Sequence, residues 1–115
     1  MHQLEPIRAW SRACTLVIDH YETAKSCEDP VLRNAIIDAL LALPVKLAET
    51  THCRRGEEVQ AALSAARSCC AKIKTHLYIA RELRLIESFA SDKFLVESMD
   101  LSQIIENQRD CRALE

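Results

Sequence analysis

Turn-forming residues are nearly absent from this 115-residue chain, which has one glycine and three prolines. An all-β domain needs many tight turns, and glycine is the residue that most readily supplies a positive φ. Sheet architectures are thereby excluded, and long helices remain. Phe, Trp and Tyr make up only 4% of the residues against 49% for all apolar types, so aliphatic side chains must build the core. No apolar run reaches the roughly 18 residues of a membrane span. The longest apolar region, Ala35 to Ala48, is interrupted by Asp38 and Lys46. Neither sign of charge dominates: the formal net charge is −2, which gives the chain as a whole no default attraction to polyanions. A basic-then-apolar opening is missing at Met1-His2-Gln3-Leu4-Glu5, so no secretory signal is expected and a cytoplasmic location is. In that compartment the six cysteines (Cys14, Cys27, Cys53, Cys69, Cys70 and Cys111) are expected as free thiols filling core positions. No C-x-x-C spacing occurs, and neither a metal nor another cofactor is expected.

What the chain does have is helical periodicity, in four segments at about 6–26, 30–52, 57–84 and 91–112 of a single domain spanning 1–115. The first opens at Glu5-Pro6, where proline suits a helix start. Ile7, Trp10, Cys14, Val17, Tyr21 and Ala24 then recur every three or four residues as one apolar stripe, with Trp10 as a core or interface anchor. Asp29-Pro30 is an N-cap followed by proline in the first turn. Gly56 breaks the chain before Glu57-Glu58, whose acid charge suits the positive end of the third helix. That helix carries Val59, Leu63, Ala66, Cys70, Ile73, Leu77 and Ala80; the fourth carries Phe94, Leu95, Leu101, Ile104 and Ile105, with Met99 as core filler. Short connections force sequential helices to lie antiparallel, so the sequence predicts an all-α, up-down-up-down four-helix bundle.

The second helix is apolar on two sides. Leu32, Ile36, Ala39, Leu40, Leu43 and Leu47 form one face. Ile37, Leu41, Pro44 and Ala48 form another, roughly 100° away at 100° per residue. One core needs one face, so the second predicts a contact between subunits, although a broad core face would read the same way. Pro44 removes one backbone hydrogen bond there and is expected to kink the axis.

Few arrangements of reactive residues stand out. Glu49 and His52 make one Glu-x-x-His, but a di-metal bundle needs two such motifs and further carboxylates. One glycine cannot build a phosphate loop. No catalytic residues are assigned, and no enzymatic activity or small-molecule substrate is expected. Charge, by contrast, is segregated. Residues 54–84 hold seven Lys or Arg against three acids, and 87–115 hold three against seven. Arg67, Lys74 and Arg81 are seven apart and flank the apolar face of the third helix. With Arg54, Arg55 and Lys72 they are the candidate contacts to RNA or DNA. The competing reading is that such cations lie along the bundle edge and pair with acids of the fourth helix, such as Glu97, Asp100 or Glu106.

The order of residues in the first three helices is also informative. Trp10, Ala13, Leu16 and Tyr21 open the pattern. Leu43-Pro44-Val45-Lys46-Leu47-Ala48-Glu49-Thr50 follows, with Arg54-Arg55 beyond it, and Leu63, Ala66, Ser68, Leu77, Ala80 and Leu83 complete it. This resembles the small four-helix-bundle proteins encoded within bacterial 23S rRNA intervening sequences, which are similar to the accessory protein of diversity-generating retroelements. Pro44, Leu47, Ala48 and Glu49 match the family's proline-centred run, whereas Val45, Lys46 and Thr50 stand where it has Ser, Asn and Gly. The resemblance spans about Ile7 to Ile105. It implies a bundle assembled with copies of itself into a ring of five, without known enzymatic activity. The resulting expectation is a non-enzymatic bacterial homo-oligomer that contacts RNA or DNA through its third helix; the alternative is a structural or protein-interaction module without nucleic-acid binding.

Overall fold

A computed structural model describes the backbone at 4–53 and 55–113, with side chains at 8–53 and 55–109. Four helices make up the described chain: α1 (Leu4–Lys25), α2 (Pro30–Glu49), α3 (Gly56–Glu82) and α4 (Ser88–Ala113). Among the described residues there is no strand. Each helix packs on two others, α1 on α2 and α4, and α3 on α2 and α4, while the diagonal pairs do not meet. Gln60 at the start of α3 donates to the Arg109 carbonyl near the end of α4, at 3.1 Å, so these two run antiparallel. The bundle measures 45 × 21 × 20 Å, as expected for helices of about 26 residues rising 1.5 Å each. No described helix is long and apolar enough to cross a membrane.

Local chemistry fixes the helix ends. Asp29 is extended, at φ −93° and ψ 122°, and its Oδ1 accepts from the Val31 and Leu32 amides at 2.9 and 3.0 Å. Two of the unpaired donors that open α2 are thereby satisfied. That helix stops at Glu49, three residues earlier than expected, because Thr50 and Thr51 turn their hydroxyls back onto the Leu47 and Ala48 carbonyls. It runs unbroken through Pro44. Gly56 is the first residue of α3 rather than a break, and its φ is not positive. The left-handed residue is Arg84, at φ 59°. There the Arg84 amide donates to the Arg81 carbonyl at 3.0 Å and the Leu85 amide to the Ala80 carbonyl at 2.9 Å. This is the paired closure that usually employs glycine at the left-handed position. The fourth helix begins at Ser88 instead of 91, because Glu87 accepts from the Phe89 and Ala90 amides at 2.9 and 2.6 Å.

One core joins all four helices. From α2 it takes Ile36, Leu40, Leu43 and Leu47; from α3, Leu63, Ile73 and Leu77; from α4, Phe94, Leu101 and Ile105. All seven apolar positions expected for α3 are buried. The first helix differs from expectation. It turns Ala9, Ala13, Leu16, His20 and Ala24 inward, leaving Trp10 exposed and Cys14, Val17 and Tyr21 half-buried. Alanine seats a helix closely, so the small stripe faces the core and the bulkier one is turned to the side. Ile7 falls outside the described side chains. Met99 is 47% exposed and is not core filler. His20, 4% exposed, donates Nε2–H to Glu97 at 2.6 Å and stacks on Phe94 with ring centroids 4.7 Å apart. A buried imidazole is therefore satisfied on its edge and its face.

Arg84 yields a direct prediction. An L-residue in the left-handed region costs about 1 kcal/mol that glycine does not. Arg84→Gly is expected to raise stability in urea denaturation, and a loss of stability would contradict the cap described.

Candidate functional site

Of the six cations expected to contact nucleic acid, the five that are described do not form one free surface. Arg67 Nε lies 2.9 Å from Glu106, which also binds Arg109 at 3.2 Å. Arg81 Nη2 donates to Asp92 at 3.1 Å, its Nε lies 2.6 Å from the other Asp92 oxygen as an ion pair, and its Nη1 is 3.6 Å from Glu82. The Asp92 hydrogen bonds and charge hold the Arg81 guanidinium above its ordinary pKa. Lys74 lies in the α3–α4 groove beside Glu106 and Met99 and makes no ion pair among the described residues. Lys72 lies elsewhere: two residues from Lys74 is about 200° around the helix, and Lys72 and Lys46 of α2 both act on the Cys69 thiol. Arg55 is exposed at the N-cap of α3, and Arg54 lies outside the described residues. Two of the three stripe cations are thus neutralised by α4, and the remaining ones point to different sides.

The second apolar face of α2 resolves into a seam and an exposed rim. Lys46 acts on Cys69 of α3, so the flank of α2 that carries Ile37, Pro44 and Ala48 turns toward its other neighbour, α1. These three are half-buried, and Ile37 packs on the core. Leu41 remains 44% exposed and Val45 56% exposed. On α1, Leu16 and Arg12 share a groove with Leu101 and Glu97 of α4, so the opposite flank, carrying Trp10, Cys14, Val17 and Tyr21, faces α2. Counting outward from the connection at 26–29, antiparallel helices set residue 14 across from 41 and residue 10 across from 45. Trp10, 42% exposed, lies on this α2-facing flank of α1. The sequence missed this because α1 was assigned a single inward stripe. The signal was present in the spacing of Ala9, Ala13 and Leu16, a neighbouring stripe that shares Ala24 with the one assigned. The His20–Glu97 pair, 77 residues apart, left no mark that spacing could reveal.

No protein-family model, curated protein or solved structure matches the chain. The resemblance to intervening-sequence proteins accordingly rests on the residues quoted for it.

Reactive chemistry is muted where the thiols lie deepest. Cys27, Cys69 and Cys70 are buried and free; Cys14 and Cys53 are half-buried and free. Cys111 falls outside the described side chains. Burial raises the Cys69 thiol pKa, and burial together with neighbouring Cys69 pushes Cys70 up to about 12. The thiolate is the nucleophile, so iodoacetamide at pH 8 is expected to label Cys14 and Cys53 while Cys69 and Cys70 react only after denaturation. Labelling of Cys70 in the folded protein would contradict this. The unfolded Cys70 thiol ionises near 9.0 and the folded one near 12. Ionisation therefore favours the unfolded chain across that window, and stability is lost as pH rises through it.

Proposed function

We propose that the protein is a non-enzymatic cytoplasmic homo-oligomer of the intervening-sequence type, which works by assembling and presenting surfaces rather than by catalysis. The observation that carries this reading is that α1 and α2 leave large apolar residues exposed, Trp10 on the flank of α1 that faces α2 and Leu41 and Val45 on α2. Exposed large apolar residues clustered on one side mark contact sites more often than singly scattered ones do. A ring of five is the assembly that the family resemblance implies. The partner of the rim is then a second copy of the chain, and no cofactor is needed.

The test is solution mass by light scattering. The parent protein is expected as an oligomer. Leu41→Glu is expected to reduce it to monomer with its helical circular dichroism unchanged, since Leu41 lies outside the buried core. A monomeric parent, or a variant that keeps the parent mass, would overturn the assignment of the rim.

Nucleic-acid binding is the second reading, favoured by Lys72, Lys74 and Arg55, which make no ion pair among the described residues. Phosphate contacts require such unpaired cations and weaken steeply with salt. On this reading RNA binding at low ionic strength falls when Lys74 becomes Ala and changes much less for Arg81→Ala, whose charge Asp92 already occupies. Binding that is indifferent to both salt and Lys74 would remove it.

A further inference from the structure

The sparsest seam of the bundle, between α1 and α4, opens into a groove of about 780 Å³. That volume lies within the roughly 300–1,000 Å³ range of small-molecule sites. One wall is a single flank of α1: Arg8, Ser11, Arg12 and Thr15, at successive spacings of three, one and three, fall on the same side of the helix. Leu16 and Leu101, almost wholly buried in the core, form the floor between the helices, and Glu97 completes the far wall.

Among the described residues nothing neutralises the two cations of this wall. Arg8 and Arg12 are four apart, so two like charges repel on one helix face. Neither makes an ion pair among the described residues. The one acid lining the groove, Glu97, is engaged by buried His20 at 2.6 Å, and His20 is in turn held by stacking on Phe94. Two exposed guanidiniums with two hydroxyls beside them therefore face a groove whose one lining acid has its Oε2 hydrogen-bonded to His20. Guanidinium forks fit tetrahedral phosphate oxygens, and Ser or Thr hydroxyls can donate to the remaining ones.

We propose that this groove binds a small-molecule phosphate ester, with the phosphate between Arg8 and Arg12 and the organic portion lying along the groove between α1 and α4. The sequence argues for a small ligand over a strand of nucleic acid. Asp19 and Glu22 continue the same side of α1 and are exposed, so a polyanion tracking the helix would meet repulsion within two turns. The groove lies on the flank of α1 opposite Trp10. The groove is thus a surface separate from the α1–α2 rim.

Phenyl phosphate is a suitable probe, because it joins one phosphate to one apolar ring. Calorimetric titration of the full chain at low ionic strength is expected to give saturable binding at one site per chain. Phenol, lacking the phosphate, is expected to bind at least about tenfold more weakly, and inorganic phosphate to bind more weakly than the ester. The double variant Arg8→Gln/Arg12→Gln is expected to lose roughly tenfold or more of the affinity through its lost charge-assisted bonds, with circular dichroism and solution mass unchanged. The Leu41→Glu protein is expected to bind phenyl phosphate as the parent does, which separates this site from the assembly reading. Absence of saturable binding, equal binding of phenol, or an unaffected double variant would overturn the proposal. So would single-stranded oligoadenylate RNA binding far more tightly than phenyl phosphate and losing that affinity in the same double variant, since the occupant would then be a polyanion.

Discussion

Ala9, Ala13 and Ala24 are fully buried, and through them α1 is seated in a core whose bulk comes from the other three helices. Ile36, Leu40, Leu43 and Leu47 form the row on α2, Leu63, Ile73 and Leu77 oppose it from α3, and Phe94 is the one large aromatic side chain of the core. Protein interiors are filled to the density of organic crystals. With so few aromatics, that density is reached by bringing one helix in close on small side chains while aliphatic rows fill the middle. Alanine on the inward side obliges the bulkier apolar residues of α1 to lie elsewhere.

Both surfaces of interest follow from this seating. On one flank, Trp10 and its neighbours share a seam with α2 whose rim still exposes Leu41 and Val45. On the other flank, α1 and α4 stand apart enough to leave the groove bordered by Arg8 and Arg12. The His20–Glu97 hydrogen bond ties α1 to α4 across the inner edge of that groove. By contrast α3 and α4 close onto each other through Arg67–Glu106 and Arg81–Asp92. Partly exposed pairs of this kind contribute little to stability. Their consequence is for function, because they occupy two of the cations a phosphate backbone would have to capture.

Legibility in the sequence divided along physical lines. The architecture was plain, because scarce glycine and four periodic segments admit little else. The seven positions read as the stripe of the third helix are all buried, since its large apolar side chains lie on one face, and Ala62 and Cys69 are buried beside them. The first helix was read about a quarter-turn off, because hydrophobic size drew attention to Trp10, Val17 and Tyr21 while the alanines that touch the core weigh little on any apolarity scale. Helix ends were missed where the chemistry was atypical: Glu87 caps α4 in place of Ser or Asp, and Arg84 takes the conformation that glycine usually fills. Sequence assigned Ile37, Leu41, Pro44 and Ala48 together to a contact between subunits, whereas within the chain three of them are half-buried and Leu41 is exposed. The partners of Arg67 and Arg81 depend on the register between α3 and α4, which spacing along one helix cannot supply.

The central claim is that α1 docks on its alanines and leaves Trp10 at a surface used for assembly. Trp10 is the only tryptophan, so its fluorescence reports on that position alone. Acrylamide quenching of the parent and of Leu41→Glu measures the claim directly. The account predicts a shielded, blue-shifted indole in the parent that becomes quenchable and red-shifted in the variant. An indole equally shielded in a monomeric Leu41→Glu protein would mean that Trp10 belongs to the core, and that α1 is not seated on its alanines.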